Sequence, residues 1–425
     1  MKSSFFIKMV LVGSIAFLFA ACSSKKSASI SIENPSTLDR TDELVVLKRS
    51  AIEEKTGPMA NGKFVMLTAN GRPVLVQYDD MDGDGQWDEL VFLYSFKAKE
   101  KIDFLLGESD SPASIKAAVR AHVRHIKKNA DDSFGSIITK DSMPAGNPPT
   151  DFAKTPLPPY LTEGPSWEND KVAFRLYFDT RNGKDVFGKI VPGMVVDTIG
   201  ANHNNSYHEL SNWGMDILHV GKSLGAGAVA IETKDKDGKD TLIRLGGPNV
   251  KSETYQVVAD GPIRAIFRIK YNWEINGKPV EITDETSIWG GQYFYETKLT
   301  ISGTPAGSKL VAGFANFYDN VPGQIDTASM KAFYSYGPQS ENKDGLGLAV
   351  AVDGAAFAGY KTLTDTLSDI RDSYAVSQNI VTATPVVYRF YSGWSKSNKA
   401  FETSVGFTSF LANEMVLWHN PIIKK

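Results

Sequence analysis

Thiols are almost missing from this chain: Cys22 is the one cysteine among 425 residues. No disulfide can therefore form within the chain, and a paired-cysteine zinc site is excluded. A large excess of either charge is missing as well. Lys and Arg number 46 against 49 Asp and Glu, which leaves no case for a basic nucleic-acid face. The HExxH helix of zinc proteases and the GxxxxGK[ST] phosphate loop are both absent. Long apolar runs end with the first 21 residues, so nothing later reaches membrane-spanning length. Histidine is scarce, six in all, which makes the clustering of His203 and His208 informative.

The apolar run that does exist is N-terminal. Lys2 and Lys8 precede Met9 to Ala20, and Phe19-Ala20-Ala21-Cys22 closes the run before polar Ser23-Ser24-Lys25-Lys26. The run is short for a bilayer span and fits a signal-peptide core. Small residues before a lone cysteine resemble a bacterial lipobox, with Phe19 in place of the usual leucine. The expectation is cleavage before Cys22, lipid on its thiol, and a soluble body tethered to the envelope. The membrane is then a partner through that anchor alone. With no aspartate beside Cys22, an outer-membrane lipoprotein facing the periplasm is expected. The expected divisions are signal peptide 1–21, tether 22–42, an N-terminal β region 43–150 and a large β domain 151–425.

From Glu43 to Phe104, apolar and β-branched runs alternate with turns such as Asn70-Gly71, as in strands. Between two of them lies Asp80-Met81-Asp82-Gly83-Asp84-Gly85-Gln86-Trp87-Asp88. Asp80, Asp82, Asp84, Gln86 and Asp88 occupy the alternate ligand positions of a calcium loop, and Gly85 sits where that loop turns sharply. Val91 stands where the bidentate Glu belongs, so the full loop is absent. A structural calcium and a turn whose carboxylates cap backbone amides both remain open. No organic cofactor is expected. Residues 111–128 read as strand, with His122 and His125 on a solvated surface.

Prolines at 144, 148, 149, 156, 158 and 159 mark a connector. Beyond it, short strand-like segments recur as far as Ser404–Leu411, and Ile263 to Tyr271 alternates with Arg264, Arg268 and Lys270 on one face. This is the pattern of a mainly β chain, a large antiparallel β-sandwich with a smaller N-terminal β region. Gly221 to Gly227 reads as a tight turn entering a strand.

The polar, aromatic stretch from Trp167 to Asp216 is the candidate site. His203, His208, Tyr207 and Glu209 fall together, and an imidazole beside Glu, Tyr or Arg suits acid–base chemistry. Arg175 and Arg264 offer guanidinium forks for a carboxylate, and Glu296 is a candidate acid partner for His208. Trp167, Trp213, Trp289 and Tyr293 are candidate stacking platforms for sugar rings. Core packing and structural ion pairs are the plainer alternatives for these side chains.

The stretches GPSWENDKVAFRLYFDTRNGKDVFGK, SYHELSNWGMDILHVGKSLGAGAVAI, YQVVADGPIRAIFRI and YDDMDGDGQWDELVFL resemble the bacterial domain-of-unknown-function family 4861. The resemblance covers nearly all of the chain after Glu43. It implies a Bacteroidota lipoprotein associated with pectin and other uronic-acid glycans. It also implies a body like the galactose-mutarotase-like β-supersandwich. It carries over no catalytic residues. The expected partner is an acidic oligosaccharide, processed by lyase or mutarotase chemistry, with a non-catalytic glycan-binding protein as the alternative.

Overall fold

A computed structural model describes residues 28–112, 118–144, 146–202, 206–364, 369–382 and 384–425. Cys22 and His203 lie outside the described residues. Strands make up 49% of the chain and helices 9%, so the mainly β expectation holds.

The body is a sandwich. One layer is a nine-stranded antiparallel sheet, in spatial order Lys140–Pro144, Val250–Asp260, Arg264–Ile275, Lys278–Trp289, Phe294–Ser302, Val386–Trp394, Leu346–Asp353, Met330–Gly337 and Gly323–Asp326. Two five-stranded sheets form the other layer. The first runs Gly214–Asp216, Lys184–Lys189, Val172–Leu176, Ser166–Asn169, Ala121–Arg124. The second runs Asp240–Arg244, Ala226–Lys234, Lys309–Ala315, Ser373–Asn379, Phe357–Leu363.

The period-two alternation read from Ile263 to Tyr271 explains the packing. Ala265, Phe267, Ile269 and Tyr271 enter the main core together with Phe174, Leu176 and Val350, while Lys270 points to solvent. Glycines allow the close approaches that seat the first small sheet. At Gly214 (φ +135°) a Cβ would lie 1.8 Å from the Gly188 carbonyl oxygen, so only glycine lets Gly214–Asp216 close on Lys184–Lys189. Gly225, at φ +54°, turns the chain into Ala226–Lys234, as the glycine-rich spacing predicted.

A second core lies in the N-terminal region, between a three-stranded sheet (Arg40–Lys48, Glu89–Phe96, Gln77–Asp79) and a five-stranded one built on Ser29–Glu33, Lys101–Ser109 and Phe64–Ala69. The expected divisions shift in three places. Ser29–Glu33 is a strand rather than tether, because Ile30 and Ile32 bury against Lys101–Ser109. Two strands before residue 150 join the sandwich sheets, Ala121–Arg124 pairing with Ser166–Asn169 and Lys140–Pro144 with Val250–Asp260. The C-terminal Ile423–Lys424 returns to pair with Ser29–Glu33. The first and last strands among the described residues are therefore neighbours in the N-terminal sheet.

One expected strand is a helix. Ser404–His419 is capped by Thr403, whose side chain accepts from the Gly406 N–H. It lays Phe407, Leu411 and Met415 on the outer face of the nine-stranded sheet. These three recur at i, i+4 and i+8, a helical spacing. Among the described residues no helix is long and apolar enough to cross a membrane.

Candidate functional site

The strand Val172–Leu176 points Phe174 and Leu176 into the main core and Arg175 to the other face. There a separate apolar cover of Ala173, Phe187, Val196, Ile199, Tyr207 and Trp213 packs over it. Under this cover Arg175 is 3% exposed. Its Nη2 donates to Asp185 Oδ2 at 2.6 Å, to Asp216 Oδ2 at 2.9 Å and to the Tyr177 hydroxyl at 3.0 Å. Its Nη1 donates to the Tyr207 hydroxyl at 3.1 Å. Glu163 Oε2 lies 3.7 Å from the same guanidinium. One cation thus organises three carboxylates and two phenols.

Outside this cluster, His208 Nδ1 sits 3.4 Å from Asp216 Oδ2, with the His208 side chain 62% exposed. The Tyr207 and His208 rings stand 4.4 Å apart. Partial desolvation, then the nearby Arg175 charge, lowers the His208 pKa, so the imidazole is a neutral acceptor at neutral pH. Burial and the neighbouring Asp185 push Asp216 well upward, against the pull of Arg175. Burial raises Tyr207 too. Its hydroxyl accepts from Arg175, which leaves its own hydrogen free to be donated.

The backbone beneath is strained. Thr162 and Glu163 have φ of +50° and +66°, a left-handed pair that costs about 1–3 kcal/mol per residue. Arg124, fully buried, holds this turn by donating to Leu161 O at 2.8 Å and Thr162 Oγ1 at 3.2 Å. Glu163 also accepts from Arg181 Nη2 at 2.6 Å, and Arg181 stacks 4.0 Å above the Tyr177 ring.

Tyr177 links the cluster to a cleft of about 600 Å³ lined also by Arg181, Lys222, Arg244 and Asp369. Three cations face one acid there. His219, exposed, packs edge-on against Phe317 near Gly221 at the mouth.

The structure gathers Arg175, Tyr207, His208 and the half-buried Trp213 in one place, with Glu209 exposed beside them. It does not bring the other candidates there. Arg175 is not a free fork for substrate, since protein carboxylates already hold it. Trp167 is fully buried, stacked on Phe174. Arg264 is 7% exposed and bridges Asp79 and Glu89 of the N-terminal region, an ion pair that seals the seam between the two cores. Glu296 is paired with Arg389 at 2.9 Å on the outer face of the nine-stranded sheet. Its neighbour Tyr295 points into the main core, so Glu296 cannot partner His208. Trp289 and Tyr293 pack around the C-terminal helix on that outer face.

His122 and His125 are not solvated. His122 bridges Asp197 at 3.0 Å and Asp260 at 2.9 Å. Burial opposes its charge, yet the two carboxylates prevail and lift its pKa to about 10. His125 is buried and stacks on Tyr160.

In the acidic loop, oxygens of Asp80, Asp82 and Asp88 lie within 4.8 Å of one another. Asp80 accepts from the Gly83 and Gly85 amides at 2.7 Å each, Asp84 from Gln86 N, and Asp88 from Met81 N. The Gln86 side chain instead accepts from Arg49. Carboxylate capping of the turn is therefore present, and three of the five expected ligands also converge.

Sequence reading missed Glu163, Asp185, Asp216 and Tyr177. Arg175 and Tyr177, two positions apart in an apolar segment, and Lys184-Asp185 opening the next strand were the available signal; Glu163 and Asp216 left none.

Fold and site define a mainly β sandwich protein with a buried charge cluster beneath an exposed histidine, His208. The chain belongs to the family described as Domain of unknown function (DUF4861), whose model matches residues 32–423. A curated relative, the "Uncharacterized protein P7" of Formosa agariphila, is 24% identical over 418 residues, covering 93% of each chain. Among solved structures, an alpha-mannosidase from Enterococcus faecalis V583 aligns with 10% identity and a TM-score of 0.42, over 94% of this chain and 46% of its own. A glycosyl hydrolase family 38 protein from Enterococcus faecalis aligns with 10% identity and a TM-score of 0.43, over 94% and 47%. The chain spans about half the length of those two structures.

Proposed function

We propose that this protein is a carbohydrate-active enzyme acting on uronic-acid-containing oligosaccharides at the His208–Asp216 pair, lipid-anchored at Cys22 on the periplasmic side of the outer membrane. The pair carries the reading. A neutral imidazole whose Nδ1 lies 3.4 Å from the buried Asp216 Oδ2, on a side chain that is largely exposed, is placed to accept a proton. A β-elimination uses it directly. His208 takes the proton alpha to the uronate carboxylate, that C–H pair becomes the new C=C bond, and the glycosidic C–O bond breaks. The leaving oxygen takes a proton from Tyr207. Lys222, Arg181 and Arg244 supply the positive field that an acidic chain needs.

The assay is the ultraviolet absorbance of the unsaturated product from pectic oligosaccharides. His208→Ala is expected to lower turnover about 10²–10⁴-fold, and Tyr207→Phe by a similar factor. The acidic limb of the rate profile should fall below the ordinary imidazole pKa of about 6.5, because the folded protein disfavours the imidazolium. Full turnover by His208→Ala sinks this reading. If the wild type itself makes no product, the non-catalytic alternative predicts saturable calorimetric binding of the same chains.

The acidic loop is proposed as a structural calcium site through Asp80, Asp82 and Asp88. Calcium at about 100 times its Kd would add about 2.7 kcal/mol of stability. A thermal melt of Asp80→Asn should show no calcium-dependent increment.

A further inference from the structure

We propose a second, separate saccharide site, for neutral sugar chains, in the groove beside the C-terminal end of the helix Ser404–His419. The helix packs its middle on the nine-stranded sheet, and its last turn projects Trp418 between two adjoining clefts. One holds about 580 Å³ and the other about 710 Å³, and Trp418 and Glu296 line both. These two side chains are set before any ligand arrives. Arg389 lies 4.3 Å from the Trp418 ring centroid and 4.5 Å from that of Phe294. Its Nε donates to Glu296 Oε2 at 2.9 Å. One face of the indole is thereby held and its carboxylate neighbour oriented, which removes part of the ordering cost of binding.

The chemistry of the larger cleft selects the ligand. Glu296, Asp353, Asn379, Thr384 and His419 line it, with no Lys or Arg among its described lining residues. Carboxylates accept hydrogen bonds from hydroxyl groups and repel another carboxylate. An indole flanked by such acceptors suits a polyhydroxylated ring with an apolar C–H face. The cleft at Arg181, Lys222 and Arg244 has the opposite balance, three cations to one acid. A neutral chain is therefore the occupant assigned to the helix groove. It does not depend on the His208 reading, since Trp418 and Glu296 lie on the outer face of the other layer of the sandwich.

The experiment is calorimetric titration of the full chain with galactan-, arabinan- and mannan-derived oligosaccharides, and with oligogalacturonate. At least one neutral chain is expected to bind saturably. Trp418→Ala should weaken it tenfold or more, Trp418→Phe should restore most of the affinity, and His208→Ala should leave it unchanged. Circular dichroism melts identify any variant that fails to fold, and Glu296→Gln, which keeps the volume, provides an independent loss of affinity. The proposal is overturned if no neutral chain binds, if Trp418→Ala and Glu296→Gln both bind as wild type, or if oligogalacturonate binds more tightly through Trp418 than any neutral chain. Unchanged oligogalacturonate turnover in Trp418→Ala separates this outcome from failure at His208.

Discussion

Arg175 and Arg389 keep similar company in different circumstances. Arg175 lies over Tyr177, Phe187 and Tyr207 at 4.8, 5.3 and 5.3 Å. Arg389 lies over Trp289, Phe294 and Trp418 at 5.6, 4.5 and 4.3 Å. The first has two carboxylates within 3 Å and a cover of loop residues that leaves it 3% exposed. The second is ion-paired with one carboxylate, Glu296, and is 14% exposed, with its aromatic wall open to a groove. A cation shared among several buried acids is a scaffold that positions its neighbours, here His208 through Asp216. A cation with one acid beside an open aromatic ring orients groups that remain available to a ligand. Residue type alone does not separate these roles. Cover and carboxylate count do.

The largest expected effect tests that difference in stability. Arg175→Met leaves Asp185 and Asp216 buried without their shared cation. It should cost about 3–5 kcal/mol, the usual penalty for breaking a buried pair from one side. Arg389→Met leaves Glu296 without its ion-pair partner, at a partly open site, and should cost about 1–2 kcal/mol. Urea denaturation of both variants measures the pair, and equal losses would break the comparison.

His122 sharpens it, because His122 clamps Asp197 in the segment that also carries Val196 and Ile199 of the cover. Its folded pKa of about 10 lies above an unfolded value of about 6.5. The stabilisation is therefore full below about pH 6.5 and is lost as pH rises through about 10. His122→Gln keeps polar contacts and removes the charge. The variant should be less stable by about 2–3 kcal/mol at pH 6, after allowance for the exposed ring edge, and the gap should close above pH 10. A gap that does not change with pH would show that hydrogen bonding, not charge, holds the cover.

Much of the architecture was legible, for a physical reason. Alternation marks Ile263–Tyr271, and short apolar runs mark Val172–Leu176 and Ala226–Lys234, which are buried almost throughout, so these strands could be placed. The helix at Ser404–His419 was misread because Val405, Phe407 and Leu411 also share one face of a short strand, and the signal separating the two, Phe407-Leu411-Met415, needs the longer window. The site was legible in half. Tyr207 and His208 stood out as neighbours in the chain, whereas Asp185 and Asp216 reach Arg175 only through sheet pairing that local sequence does not encode. Arg264 and Glu296 looked equivalent to Arg175 and Glu209 on paper. Which face of which layer they occupy is a tertiary fact. His122 misled for the same reason, since both its carboxylates are more than 70 positions away.

The smallest expected effect concerns the acid near Arg389. Burial first, partly offset by Arg389, raises the Glu414 pKa from about 4.5 to about 7. A carboxyl whose folded pKa is raised binds its proton more tightly in the folded state. Its contribution to stability is therefore present below about pH 4.5 and lost as pH rises through about 7. Glu414→Gln imitates the protonated form, so it should melt with wild type at pH 4.5 and above it at pH 8. Because Glu414 keeps a partly exposed face, the gain is about 1 kcal/mol, a shift of about 2 °C for a chain this long. Removing this charge orphans no cation, since Arg389 retains Glu296. If Glu414→Gln instead lowers the melting point at pH 8, then Arg389 needs both acids, and the helix side is a closed charge cluster like that around Arg175.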